Sequence, residues 1–229
     1  LVMQGYEPST LPVLNGLAAS FCVCDNWFSS IPTQTYCNRS YLLAGTSSGY
    51  VNNHWTGADG TNQYFENPSK TMFNVLEDNN ISWRIYYGGP SSSCNAWKTQ
   101  KQLKDFYYPS PPDDPRNRFF SFQQFLTDAA TTDGTSSDYT GLQSYSFIEP
   151  NFLDHKDYGP ENDYHPPDSE GDPAYPSNML NGEVMLNQVY NALFGENAPN
   201  ADSTLLIVTF DEHGGTFDHV PPPQTVSPD

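Results

Sequence analysis

Residues 203–223 read STLLIVTFDEHGGTFDHVPPP. The run 205–208 is continuously apolar and does not alternate. Such a run suits a strand buried on both faces of a parallel sheet, where helices cover each side. Asp211 and Glu212 follow almost at once, then His213, Gly214-Gly215, Asp218 and His219. In open parallel sheets ligands bind beyond the carboxyl ends of the strands. Charge at this point therefore has two readings. A lone Asp-Glu pair more often caps a turn or faces solvent. The two glycines favour a site, because backbone there can approach a ligand closely. Adjacent carboxylates are hard oxygen ligands, suited to Mg²⁺, Mn²⁺ or Ca²⁺.

Outward from this stretch the pattern alternates helix and strand. Residues 181–196 predict the best helix, with Leu186, Val189, Tyr190 and Leu193 on one face, Asn181 as cap and Gly195 as stop. Residues 81–87, ISWRIYY, predict a strand halted by Gly88-Gly89-Pro90. The segment 69–80 before it predicts a helix with Met72, Val75 and Leu76 on one face. FCVCDNWF, 21–28, predicts a short strand, and YSFIEP, 145–150, another. A short helix is expected over 9–20 with Ser9 as N-cap. Residues 91–137 read as a polar, Pro-rich insertion with one helical segment near 119–130. The long acidic, Pro-rich loop 155–177 lacks periodicity, which marks functional loops as well as unstructured ones. Together these predict an α/β fold, a mostly parallel sheet covered by helices.

The 229 residues carry a formal net charge of −18 with only nine Lys+Arg. That excludes nucleic acid and adhesion to anionic membranes, both of which need a basic surface. No apolar run is long enough to span a bilayer. An anionic substrate would need a local cation. The four cysteines, Cys22, Cys24, Cys37 and Cys94, fit either two disulfides or free thiols and lack zinc-knuckle spacing. Sequons at Asn38 and Asn80, with scarce Lys, lean towards a secreted glycoprotein.

A second dense stretch is DNWFSSIPTQTYCNR, 25–39. A helix is expected to begin near Thr35. A hydroxyl there feels the positive end of the helix dipole, so Thr35 reads as an N-cap or as a nucleophile beside a bound phosphate. Asn38 and Arg39 follow one turn later, and a guanidinium forks well onto phosphate oxygens. His165, in NDYHP, is a surface residue or a phosphate contact and general acid. His213 and His219 are candidates for orienting a carboxylate.

The three stretches FDEHGGTFDHVPPP, DNWFSSIPTQTYCNR and EPNF…NDYHP…SEG together resemble the phosphoesterase family of bacterial phospholipases C, plant non-specific phospholipases C and acid phosphatase A. The resemblance runs from about Cys24 to Pro223. It implies an α/β/α sandwich like that of alkaline phosphatase and hydrolysis of a phosphate ester through a covalent phospho-threonine. Thr35 matches the nucleophile position, and Asn38 and Arg39 match the Asn-Arg that follows and would bind substrate. Asp211 and Glu212 match paired ligands of a divalent metal (Mg, Mn, Ca or Zn), and His165 matches a histidine contacting phosphate. Asp218 and His219 match the tail of the last block, and with His213 would support the metal ligands. Cys37 departs from the family's usual Pro.

The family's Glu-Asn-Arg-Ser-Phe-Asp block does not occur in these residues. The resemblance therefore implies one phosphoesterase domain over 1–229, incomplete at both ends. The remaining polypeptide or a companion fragment would complete the metal site. The expected function is that of a secreted acid phosphatase of broad phosphomonoester range. The alternatives are a phospholipase C acting on phospholipid without stable membrane insertion, or a non-catalytic secreted binding glycoprotein.

Overall fold

The computed structural model describes residues 5–53, 55–56, 62–63, 65–107, 114–131, 140–153, 156–165, 178–216, 220–221 and 224. In chain order the helices are α1 (Pro12–Ser20), α2 (Thr35–Ala44), α3 (Met72–Asp78), α4 (Asn95–Thr99), α5 (Phe122–Ala129) and α6 (Met179–Phe194). The strands are β1 (Trp55–Thr56), β2 (Asn62–Gln63), β3 (Trp83–Tyr87), β4 (Phe119–Ser121) and β5 (Tyr145–Glu149). β1 and β2 form a small antiparallel pair. The main sheet has the order β4-β3-β5 and is parallel throughout. Ile85 sits between Phe119 and Phe147 in register.

Strand β3 explains the layering. Its side chains alternate between faces. Trp83 and Ile85 enter one core with Leu43, Phe73, Leu103 and Phe119. Tyr86 enters the other, with Phe125, Ala129, Val189 and Leu193. One face is thus covered by α2, α3 and α4 and the opposite face by α5 and α6, an α/β/α arrangement. The polar member of the second face, Arg84, is buried against Asp128, which also accepts from the Tyr86 hydroxyl at 2.6 Å. The segment 91–137 contributes Cys94, Leu103, Phe119 and Phe125 to these cores.

Several expectations change. Residues 204–210 form no strand among the described residues, and Leu205, Ile207 and Phe210 are exposed. The run is apolar enough to be buried, but no described strand pairs with its backbone; only Leu206 turns inward, against the α5–α6 core. FCVCDNWF is likewise not a strand, and Phe21, Val23 and Trp27 are exposed. In α3 the buried residue is Phe73, while Val75 faces solvent. α6 is capped by Asn178, whose side chain accepts from Leu180 N, rather than by Asn181. α1 takes no cap from Ser9. The distant Glu183 carboxylate accepts from Val13 N and Leu14 N instead. All four cysteines are free thiols, so the disulfide expectation fails. Cys37 and Cys94 lie inside the fold, and burial pushes the Cys37 thiol up to about 11. The turn expected near Asn80 is present, with Asn80 at φ 55° directly after α3.

Candidate active site

Helix α2 begins at Thr35, with Gln34 as N-cap, so Thr35 is the first helical residue rather than the cap. Thr35 itself is half-buried. The loop before it is fixed from inside the helix. Buried Asn38 donates from Nδ2 to Ile31 O at 3.1 Å and Thr33 O at 3.0 Å, and its Oδ1 accepts from Ile31 N at 3.1 Å. Tyr36 N donates to Asn53 Oδ1 at 2.8 Å. Asn38 is therefore engaged with its own loop, and it holds the approach to Thr35 in one shape.

Arg39 lies one turn after Thr35, and residues four apart share a helix face. Its Nη1 donates to Glu149 Oε1 at 2.6 Å and its Nε donates to Asp211 Oδ2 at 3.0 Å. The guanidinium also stacks over Phe152 at 5.1 Å from the ring centre. Burial opposes the charge on Arg39, and Glu149 and Asp211 outweigh it, so its pKa lies above the ordinary value. One side chain thereby joins three stretches distant in sequence: the Thr35 helix, the end of β5 and the Asp-Glu pair.

Beyond Asp211 the chain turns sharply. Gly214 and Gly215 have φ of 65° and 80°, the left-handed region that other residues rarely adopt. The turn returns Gly214 N to Glu212 Oε2 at 3.0 Å. His213 is turned inward, its Nδ1 3.6 Å from Glu212 Oε2. Asp218 and His219 lie outside the described residues. Asp211 and Glu212 have the donor chemistry a hard cation takes, and Arg39 and Gly214 N each engage one oxygen of their partner. Among the described residues no group of three or more His, Cys, Asp or Glu side chains could hold a metal ion.

The His165 loop is tied to the same edge. Asn151, almost fully buried, exchanges hydrogen bonds with Asn162: its N–H donates to Asn162 Oδ1 at 2.6 Å, and Asn162 N donates to its carbonyl at 3.0 Å. A Cβ on Gly88 or Gly89 would run into Asn151, so the glycines that stop β3 admit this contact. From the other side, Tyr164 donates its hydroxyl to Glu183 Oε1 at 2.6 Å and packs edge-on against Phe210 at 5.7 Å. His165 itself is exposed, with its N–H donating to Asp163 Oδ1 at 3.1 Å. Burial holds the Asp163 carboxyl above its usual range, with nearby Asp211 adding to the effect and His165 and Arg39 opposing it. The loop thus stands within electrostatic reach of Asp211.

The sequence reading did not single out Glu149, Asn151, Asp163 or Glu183. Glu149 carried one signal, an acid closing an apolar strand immediately before a proline. The other three become significant only through partners that folding supplies.

The Phosphoesterase family model matches residues 1–229. Non-specific phospholipase C3 of Arabidopsis thaliana is 31% identical over 97% of the chain, an alignment covering 36% of that protein. Non-specific phospholipase C1 of the same plant is 32% identical over 97% of the chain and 35% of its own length. Phospholipase C B of Mycobacterium tuberculosis is 27% identical over 97% of the chain and 39% of its own length. The chain spans little more than a third of the length of the curated relatives it matches. With the family model matched from end to end, and with the motif blocks joined at one sheet edge, the chain belongs to the phosphoesterase family.

Proposed function

We propose that this chain supplies the nucleophile and part of the metal site of a phosphoric ester hydrolase, most directly a phospholipase C that releases phosphorylated head groups. The observation that carries the reading is the Arg39 bridge, which ties the carboxylate of Asp211 to a residue one helical turn after Thr35. The names of the relatives favour phospholipid over the broad phosphomonoester range expected from the motifs alone. In this reading the Thr35 hydroxyl attacks phosphorus, forming a phospho-threonine as the head-group diester releases diacylglycerol, and water then frees the phosphorylated head group. The positive end of the α2 dipole lies towards the developing negative charge. His165, on the exposed edge of its loop, gives a proton to the leaving oxygen.

A divalent cation held by Asp211, Glu212 and donors outside these residues would lower the hydroxyl's pKa and offset the charge of −18. The extracellular reading carries a glycan at exposed Asn80. Asn38 is unsuited as an acceptor, since its side chain is buried and hydrogen-bonded.

The test uses the full-length protein. Release of phosphocholine from phosphatidylcholine vesicles is compared with release of phosphate from p-nitrophenyl phosphate, each with wild type and Thr35→Ala. Expected is preferential diester cleavage and a loss of at least about 10³-fold in kcat for the variant, the scale on which removing a covalent nucleophile acts. Equal rates for Thr35→Ala would remove Thr35 from the chemistry. Preference for the monoester would restore the phosphatase assignment.

A further inference from the structure

We infer that Glu149 is a positioning residue of this site, acting on Asp211 through Arg39, which bridges the two carboxylates. The inference rests on the hydrolase reading above. Glu149 is fully buried at the carboxyl end of β5, and its backbone is locked by Gly88 N donating to its carbonyl at 3.1 Å. Its Oε2 accepts from Asn95 N at 2.8 Å and its Oε1 accepts from Ala96 N at 3.2 Å. Arg39 Nη1 donates to it as well, and the Cys94 thiol hydrogen-bonds to the same carboxylate. Arg39 is the one cation among these partners.

A buried carboxylate is costly unless paired and hydrogen-bonded. The consequence runs both ways: Glu149 fixes where Arg39 can stand, and the Nε of the guanidinium so placed donates to Asp211. Phe152 holds the plane of the guanidinium, so both ends are set by geometry rather than by a flexible stem. Glu149 and Asp211 share one rigid cation. The arrangement fixes the orientation of Asp211 through a cation that is itself held in place.

Two substitutions separate this from a structural ion pair. Glu149→Gln turns an amide N–H₂ towards donors and leaves Arg39 with Asp211 alone. Arg39→Lys keeps the charge but offers one nitrogen where two ends are needed. In the full-length protein hydrolysing phosphatidylcholine vesicles, both are expected to lower kcat by about 30-fold or more while KM stays within about twofold, the signature of a lost orientation. Loss in KM with kcat preserved, for either variant, would overturn the inference and return Arg39 to phosphate binding.

An activity-free arm covers failure of the hydrolase reading itself. Thermal unfolding of wild type, Glu149→Gln, Asp211→Asn and the double variant should give a combined shift smaller than the sum of the single shifts, because both carboxylates act through Arg39. Additive shifts would overturn the bridge whether or not any ester is cleaved. If Glu149→Gln does not fold, Arg39→Lys takes its place in both arms, paired with Asp211→Asn.

Discussion

Two apolar runs of this chain met different fates. In β3, residues 83–87, four successive side chains are buried and the backbone pairs on both sides, with β4 and with β5. In 204–210 the composition is more apolar, yet Leu205, Ile207 and Phe210 stand in solvent and no described strand pairs with the segment. The difference teaches that hydrophobicity alone does not bury a strand. Each backbone N–H and C=O must also find a partner before it leaves water. β3 has two neighbours and helices above and below it. The later run touches the core through Leu206 alone.

The largest break in this comparison is at Trp83. Its ring lies 4.7 Å from Phe73 and 5.2 Å edge-on from Phe106, and its Nε1 donates to Glu77 at 2.8 Å. Glu77 in turn accepts from Arg118 at 2.9 Å. Trp83→Ala removes a fully buried ring packed between Phe73 and Phe106 and is expected to cost about 3–5 kcal/mol. Urea unfolding of the 229-residue chain measures it. A cost under about 1 kcal/mol would mean that β3 is not the centre of the core.

The elements that the sequence made legible are those whose information is local. ISWRIYY and YSFIEP are short β-branched and aromatic runs closed by turn residues, and both are strands. α6 has a face repeating over four turns, and three of its four expected face residues are buried, with Tyr190 half-buried. The start of α2 at Thr35 was legible from the Pro-Thr approach and the polar first turn. What was not legible depends on partners far away in the chain. Arg39 meets Glu149 across 110 residues and Asp211 across 172. Glu183 reaches back across 169 residues to the first turn of α1, so a helix start that looked like Ser9's was capped from another element. The run at 204–210 was misread for the same reason, since its sequence states what it would bury and not which strand it would join.

The finer contrast lies within that run. Leu206 packs against the core that holds Tyr86, Phe125 and Val189, while its neighbour Ile207 is 73% exposed. Side chains of adjacent residues in extended chain point opposite ways. Leu206→Ala should therefore cost about 1 kcal/mol, roughly half the lower bound for a fully buried leucine. Ile207→Ala should stay within about 0.5 kcal/mol, because little of its surface leaves water on folding. Both are read by urea unfolding of the 229-residue chain. Equal costs at the two positions would show that the alternation is wrong. A cost above about 1 kcal/mol at Ile207 would show that its side chain is covered in solution, and the contrast with β3 would then be one of pairing alone.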